Sequence, residues 1–199
     1  MQTDDELLVR RSRDGDLDSF DELVSRYQSR VYTVAFRFMG NHADAGDLAQ
    51  EAFIRAFQSL PTFRGDSSFA TWLYRIVSNA CRDELRKQQR QKKVSLDEMI
   101  MQPGGNPSLA AAGPTPEEHL ESIEMRDMVQ RHLSELSGDH RLILVMRDIQ
   151  GLSYEEIASA LDCNVGTVKS RLSRARHALK NRLTGHRELC RDGIRLPDK

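Results

Sequence analysis

The sequence has no long apolar run: none reaches the roughly 18 to 20 residues that a membrane-spanning helix needs. Its first residues, MQTDDELLVRRSRDGD, lack the apolar core of a secretory signal. Cysteine is scarce, and Cys81, Cys163 and Cys190 are too scattered for a CxxC-type zinc site or a disulfide framework. We therefore expect a cytoplasmic protein with reduced cysteines, no metal or other cofactor, and no direct membrane insertion.

Lysine and arginine are absent from Val94 to Met125, although the chain as a whole has a formal net charge of only -1. That stretch is acidic, and a basic block flanks it on each side. Arg82 to Lys93 has six basic and two acidic residues, and Cys163 to Thr184 has six basic residues and no acid. Such runs are often solvated helix faces, so charge alone leaves nucleic-acid binding an open alternative.

Proline is also unevenly distributed, since four of the six prolines lie between Val94 and Glu118. This stretch has no sustained apolar period and is typical of a flexible linker. On both sides the apolar residues recur at spacings of three and four, and no run alternates with period two. The sequence therefore predicts an all-α protein with two small helical domains, each with its own core. We place the domains at 1–92 and 117–184, the linker at 93–116 and a tail at 185–199.

A helix-turn-helix pattern lies in the second domain. Ser153 and Glu156 have the spacing of a capping box, which marks where a helix begins. A break at 162–164 follows, and Asn164 is a suitable cap for a second helix that runs through Leu183.

The second helix of this motif has two different faces. Val168, Leu172, Ala175 and Leu179 form one apolar stripe, which we expect to pack on the first helix. The remaining surface carries hydroxyl and basic groups, of which those near the N-terminal half suit base edges in a major groove. The members of this surface are Lys169, Ser170, Arg171, Ser173, Arg174, Arg176 and His177. We interpret it as a DNA-binding face, the alternative being a solvated basic helix.

An aromatic-rich stretch, TFRGDSSFATWLYRIVSNACRDELRK, closes the first domain. Its helix has an apolar stripe from Phe69 to Ala80 and a polar face made of Tyr74, Arg75, Ser78, Asn79 and Arg82. Phe69 and Trp72 suit a core, whereas the loop before them and the polar face suit unstacked bases and a phosphate backbone. We therefore expect single-stranded nucleic acid there.

An acidic helix edge precedes that stretch. Asp44, Asp47 and Glu51 lie along it, with Gln50 and Ile54 close by. Acidic groups beside exposed apolar groups suggest a protein partner and would repel DNA. A solvated acidic face is the alternative.

These motifs together resemble a known family. DLAQEAFIRAF, then FRGDSSFATWLYRIVSN, then the linker, then GLSYEEIASALDCNVGTVKSRLSRAR are similar, in this order, to the signatures of the extracytoplasmic-function RNA polymerase sigma factors of the sigma-E type. The likeness covers about residues 5 to 184. It implies an alternative sigma factor that binds core RNA polymerase and reads the −35 element as a duplex and the −10 element as a single strand. In that family the first domain is sigma region 2 and the second is sigma region 4.

The resemblance also implies roles for residues. The positions that dock on the β′ clamp helices are Asp47, Gln50, Glu51, Phe53 and Ile54. Those that capture and read the −10 element are Phe63, Arg64, Gly65, Asp66, Ser67 and Asn79. Those that contact the −35 element are Lys169, Ser170, Arg171, Ser173 and Arg174. Arg176 suits a contact with a phosphate of the same element. Further implied partners are the β flap of the polymerase, promoter DNA and an anti-sigma factor.

Two other classes of function are weighed against the sigma factor. A stand-alone helix-turn-helix regulator would bind duplex DNA without polymerase, but it leaves the FRGDSS loop and the linker unexplained. An enzyme acting on nucleic acid would need a clustered carboxylate, histidine or metal constellation. None stands out, because the six histidines lie in no HExxH or CxxC context.

Overall fold

A computed structural model of the chain describes residues 2–94 and 116–192, with side chains at 4–91 and 125–184. Within those ranges the chain is helical and has no strand, so the all-α prediction is confirmed. The N-terminal unit, residues 2–94, has four α-helices, and the C-terminal unit, residues 116–192, has four more. Most of the predicted linker lies outside the described residues.

The N-terminal unit is a helical bundle. Its helices are α1 (Gln2–Arg13), α2 (Leu17–Met39), α3 (His42–Ser59) and α4 (Phe69–Val94), with a 3-10 turn at Leu60–Thr62. Asp16 caps α2 through its side chain, and Asn41 caps α3 by accepting from the Asp44 amide at 2.8 Å. Gly40 has φ +85°, in the left-handed region that favours glycine, and so ends α2. A tight antiparallel pair, α2 and α3, results.

Apolar side chains at helical spacing fill the bundle as expected. The most buried ones on α2 and α3 include Leu23, Val31, Val34, Phe38 and Ala52. Each fully buried Leu, Val or Phe stabilises the fold by about 1.5–3 kcal/mol relative to an exposed one.

The C-terminal unit contains α5 (Pro116–Ser134), α6 (Gly138–Leu144), α7 (Tyr154–Leu161) and α8 (Val165–Asp192). A π-helical segment, Val145–Ile149, extends α6. The helix α8 continues past Thr184, where the sequence pattern ended, to Asp192. Part of the predicted tail is therefore helical.

The two units pack against each other, which corrects the expectation of two separate cores. The α7 helix lies on α4, and α5 and α6 contact α2. Buried apolar residues of both units form one continuous cluster. Gly138 allows this approach, because a Cβ there would lie 2.6 Å from Cδ2 of Leu85. Sequence periodicity identifies the buried face of each helix but not the helix that covers it, so this packing was not predicted.

Arg141 joins the two units at their helix ends. Its guanidinium is buried and donates to the carbonyls of Leu133 (2.9 Å) and Leu136 (3.1 Å), to that of Ser134, and to that of Phe38 on α2. Helix C-termini carry partial negative charge, so the carbonyl ends of α5 and α2 stabilise the cation. Burial nevertheless lowers the pKa of Arg141 from its ordinary value.

Candidate nucleic-acid interface

The helix-turn-helix forms as the sequence predicts. Ser153 Oγ accepts from the Glu156 amide at 3.1 Å, and the Glu156 carboxylate accepts from the Ser153 amide at 2.7 Å, which completes the capping box. Asp162 ends α7 with φ 53°. Asn164 Oδ1 accepts from the Thr167 amide at 2.7 Å. Both helix starts are thus held by side chains, which fixes the turn between α7 and α8.

The recognition helix α8 presents a polar face to solvent. Val168, Leu172 and Ala175 are buried, and Leu179 is half-buried. Lys169, Ser170, Ser173 and Arg174 are exposed, and Arg171 is half-buried. The structure therefore brings the predicted −35 residues onto one surface, where hydroxyl, ammonium and guanidinium donors can reach a base edge or a phosphate.

Tyr154 lies between two cations beside this surface. The Lys169 ammonium is 5.6 Å from the centre of its ring, and the Arg147 guanidinium carbon is 4.7 Å from it. Both distances suit cation–π contacts. Arg147 also donates to the Leu152 carbonyl at 2.5 Å. Sequence reasoning missed Arg147, because it lies outside the helix-turn-helix and joins this cluster only through the packing of the π-helical segment.

Arg176 has a protein partner. Its Nε lies 3.1 Å from Asp148 Oδ2, and its Nη2 bonds Asp148 Oδ1. Hydrogen bonding to Asp148 raises the pKa of Arg176 above its ordinary value. A phosphate at the predicted contact would have to share the guanidinium with Asp148.

The loop predicted to capture an unstacked base lies between the 3-10 turn and α4. Arg64, Gly65 and Asp66 are exposed, and Gly65 has φ +79°, a conformation in which other residues are strained. Phe63 and Ser67 are half-buried. The Phe63 ring packs 4.9 Å from that of Trp72, centre to centre. The loop is thus supported by the packed rings of Phe63 and Trp72, and its tip is exposed.

The polar face of α4 is only partly open. Asn79 and Arg75 are exposed, but Tyr74 and Ser78 are buried, which corrects the expectation that all these groups face DNA. Ser78 Oγ donates to the Tyr74 carbonyl at 2.6 Å, and Tyr74 Oη donates to Gln150 Oε1 at 3.0 Å. Burial raises the pKa of Tyr74. Gln150 of the C-terminal unit contacts the Tyr74 hydroxyl, and α7 packs on α4, which a helical wheel alone could not show.

A cleft of about 320 Å³ separates the two units beside the covered face. Asn79, Arg82 and Arg86 of α4 line one side, and Asp139, Asp162 and Arg171 line the other. One predicted −10 residue and one predicted −35 residue thus share a single cleft.

The acidic edge of α3 is exposed as predicted. Asp47, Gln50 and Glu51 are exposed, Phe53 is half-buried, and Ile54 is 45% exposed. Arg55 donates to Glu51 at 2.8 Å and to Asp83 of α4 at 2.9 Å. Phe57, one turn after Phe53, is 42% exposed and extends this surface, although the sequence pattern did not single it out. Acidic groups next to apolar ones suit a basic, partly apolar protein partner.

Within the described ranges no group of three or more His, Cys, Asp or Glu side chains could hold a metal ion. No described helix is both long enough and apolar enough to cross a membrane.

Comparison with known proteins agrees with this geometry. Residues 23–91 match the family described as Sigma-70 region 2, and residues 126–179 match Sigma-70, region 4. The chain is 40% identical over 183 residues to the ECF RNA polymerase sigma-E factor of Escherichia coli K12, covering 92% of this chain and 95% of that one. It is 37% identical to the sigma-E factor of Haemophilus influenzae, covering 92% and 96%.

Solved structures are similar along most of the chain. The sigma factor RpoE of Bartonella quintana, solved in complex with the anti-sigma factor NepR, is 27% identical with a TM-score of 0.66, covering 83% of this chain and 96% of that one. CnrH, solved in complex with the cytosolic domain of CnrY, is 25% identical with a TM-score of 0.66, covering 92% and 98%. The chain belongs to the extracytoplasmic-function RNA polymerase sigma factors and is an alternative sigma factor that directs promoter-specific transcription.

Proposed function

We propose that this sigma factor reads its promoters with two separate surfaces. The −35 surface is the exposed face of α8, comprising Lys169, Ser170, Arg171, Ser173 and Arg174, with Arg176 as a phosphate contact. The −10 surface comprises Phe63, Arg64, Gly65, Asp66, Ser67 and Asn79. The observation that carries the proposal is the division of α8 into a buried apolar stripe and an exposed basic and hydroxyl face.

The −10 surface acts on a single strand. Its loop has an exposed tip and is supported by the packed rings of Phe63 and Trp72, which suits capture of an unstacked nucleobase. The basic groups of α4 would then contact the phosphates. Strand opening is then driven by binding energy, without a catalytic group of the sigma factor's own. In this proposal residues 1–92 form the −10 and polymerase-binding domain and residues 117–184 form the −35 domain.

Core RNA polymerase docks on the acidic edge of α3. Asp47, Gln50, Glu51, Phe53 and Ile54 would bind the β′ clamp helices, and the C-terminal unit would bind the β flap. The mixture of exposed acid and exposed apolar surface on one helix supports this assignment. An anti-sigma factor is a further proposed partner. The similar sigma factor RpoE was solved with the anti-sigma factor NepR, and the similar protein CnrH was solved with the cytosolic domain of CnrY. The protein would act in the cytoplasm, where the polymerase and the DNA are.

A selection experiment tests this proposal. Purified core polymerase with the full chain is incubated with a random duplex library, and the retained DNA is sequenced. We expect two enriched motifs at a fixed spacing, and no enrichment with core polymerase alone. Enrichment of a single motif by the chain without polymerase would instead indicate a stand-alone regulator.

A further inference from the structure

The Tyr154 ring lies beside a cation of the −35 surface. The Lys169 ammonium is 5.6 Å from the centre of this ring, and the Arg147 guanidinium carbon is 4.7 Å from it. Both lie within the distance of about 6 Å at which a cation is attracted to an aromatic face. Of the three residues only Lys169 belongs to the −35 surface, so the proposed function gives Tyr154 and Arg147 no role.

Local bonds fix the position of Tyr154. It is the first residue of α7, and the capping box between Ser153 and Glu156 fixes where that helix begins. Its ring is half-buried and packs against the apolar cluster. Arg147 donates to the Leu152 carbonyl at 2.5 Å, which ties the loop before α7 to the π-helical segment. Because α7 packs on α8, the ring has a fixed position relative to the recognition helix.

The Lys169 ammonium has no ion pair and no hydrogen bond within the described part of the chain. The first turn of α8 also contains no acidic residue that could attract it. Lysine carries its charge on a long flexible stem, so an exposed lysine samples many rotamers and loses that freedom when it binds. Among the described groups, the Tyr154 ring alone holds this ammonium.

The position of the ammonium decides what Lys169 can read. It lies in the N-terminal half of α8, the part of a recognition helix that contacts base edges, and lysine suits the acceptors of a guanine. An ammonium is a point charge without the fixed fork of a guanidinium. Its choice between a base edge and a nearby phosphate therefore depends on where the stem places it. A group that restricts the stem can thus contribute to sequence preference.

We propose that Tyr154 is a positioning residue for −35 reading: its ring holds the Lys169 ammonium in place for one base pair. Lys169 then loses less rotamer freedom when it binds DNA. The reading role rests on the proposed −35 surface, whereas the contact between the ring and the ammonium does not. Arg147 contacts the same ring but lies outside the −35 surface, so it provides a matched control.

Nuclear magnetic resonance of the free chain measures the contact without DNA or polymerase. Protons beside an aromatic ring are shifted by its ring current. The Hε resonance of Lys169 should therefore be displaced from that of Lys180, an exposed lysine further along α8. Tyr154→Leu should abolish this displacement, and Tyr154→Phe should retain it. Coincident Lys169 and Lys180 resonances in the wild type would overturn the proposal.

Promoter binding tests the role in reading. The holoenzyme is assayed by competition on a promoter fragment that it selects and on every single-base change of the −35 element. Tyr154→Leu should lower affinity about threefold, the factor expected of an exposed cation–π contact. It should also flatten the preference at the base pair whose preference changes in Lys169→Met. Tyr154→Phe keeps the ring and should stay within about twofold of the wild type. A uniform loss of affinity on all sequences would overturn the positioning role.

A double-mutant cycle shows whether Tyr154 acts through Lys169. Lys169→Met removes the charge and keeps most of the stem, so Tyr154→Leu should cause no further loss of promoter affinity in this background. The loss should persist in the control background Arg147→Met. Equal losses in both backgrounds would show that Tyr154 contacts DNA itself or only supports the fold, and would refute the proposal. Circular dichroism and thermal unfolding verify that each variant folds.

Failure of the proposed −35 surface gives a different result from failure of the positioning role. If the holoenzyme selects no promoter, or if Lys169→Met leaves every −35 preference unchanged, the proposed surface fails and the reading role fails with it. The Lys169 resonance still decides the contact in that case. If Lys169→Met changes a preference and Tyr154→Leu does not, the surface stands and only the positioning role is refuted.

Discussion

The Arg176 guanidinium and the Asp148 carboxylate form a two-point ion pair that ties the recognition helix to the π-helical segment before the helix-turn-helix. One of its bonds, from Nε to Oδ2, measures 3.1 Å. Both side chains remain partly exposed, at 52% and 38%, so DNA can still approach the cation. The pair therefore fixes the position of the Arg176 guanidinium, for which we propose a phosphate contact.

Arg176→Ala should weaken binding of all DNA sequences alike and reduce the slope of log affinity against log salt by about 1, because one phosphate contact is lost. Asp148→Asn should strengthen binding modestly, since it releases the guanidinium and removes a negative charge. Fluorescence anisotropy of the holoenzyme on a promoter over a range of salt concentrations measures both. An unchanged salt slope for Arg176→Ala would mean that this residue only positions the helix.

Arg174→Ala should lower promoter affinity by about 1–3 kcal/mol and relax specificity at one −35 base pair, because an exposed arginine on this face suits a base edge. Lys180→Ala, a change at an exposed lysine further along α8, is the matched control and should leave sequence preference intact. Competition binding with every single-base change of the −35 element provides the measurement. An equal loss of affinity on every sequence would show that Arg174 contacts a phosphate and not a base.

Asp47→Lys should weaken binding to core polymerase at least about tenfold, because it places a positive charge on an acidic edge that suits a basic partner. Asp14→Lys makes the same change of charge at an exposed turn outside α3 and should have little effect. Binding of labelled chain to core polymerase can be followed by anisotropy, with circular dichroism to verify folding. Wild-type affinity for Asp47→Lys would refute the assigned docking edge.

Asn79→Ala should reduce reading of the −10 element and the yield of open complex while −35 contacts persist, because its exposed amide is removed from the −10 surface. Gln91→Ala, further along the same helix, serves as control. Permanganate footprinting of unpaired thymines measures opening. A normal footprint in Asn79→Ala would exclude this residue from −10 reading.

Tyr27→Phe should remove part of the loss of stability at alkaline pH. Burial raises the pKa of Tyr27, and the Asp5 carboxylate, which accepts from Oη at 2.5 Å, raises it further. The folded state therefore keeps the phenol protonated above pH 10, where the unfolded chain ionises. Stability due to this group is complete below pH 10 and is lost above it at about 1.4 kcal/mol per pH unit.

Urea unfolding at pH 9 and pH 11 measures this difference in the two proteins. We expect wild type to lose about 1.4 kcal/mol more than Tyr27→Phe between these pH values. Equal losses would show that Tyr27 ionises as easily in the folded protein as in the unfolded chain.

Local patterns were enough to predict the helices and the exposure of most of the proposed site residues. The capping box at Ser153 and the stripe containing Val168 and Leu172 depend on residues a few positions apart, so the sequence carries them directly. The contact of Tyr74 with Gln150 and the pairing of Arg176 with Asp148 join residues far apart along the chain. Polar groups such as Ser78 indicate a solvent face on a helical wheel, yet Ser78 is buried, with its hydroxyl bonded to the Tyr74 carbonyl.

The most direct test of the central claim is run-off transcription on a promoter selected by the holoenzyme, with core polymerase in the presence and absence of this protein. A sigma factor predicts a transcript of defined start only when both are present, and a lower yield of that transcript with Asp47→Lys or Arg174→Ala. Equal transcription by core polymerase alone, or tight binding of the duplex by the protein with no transcript on adding polymerase, would contradict the account.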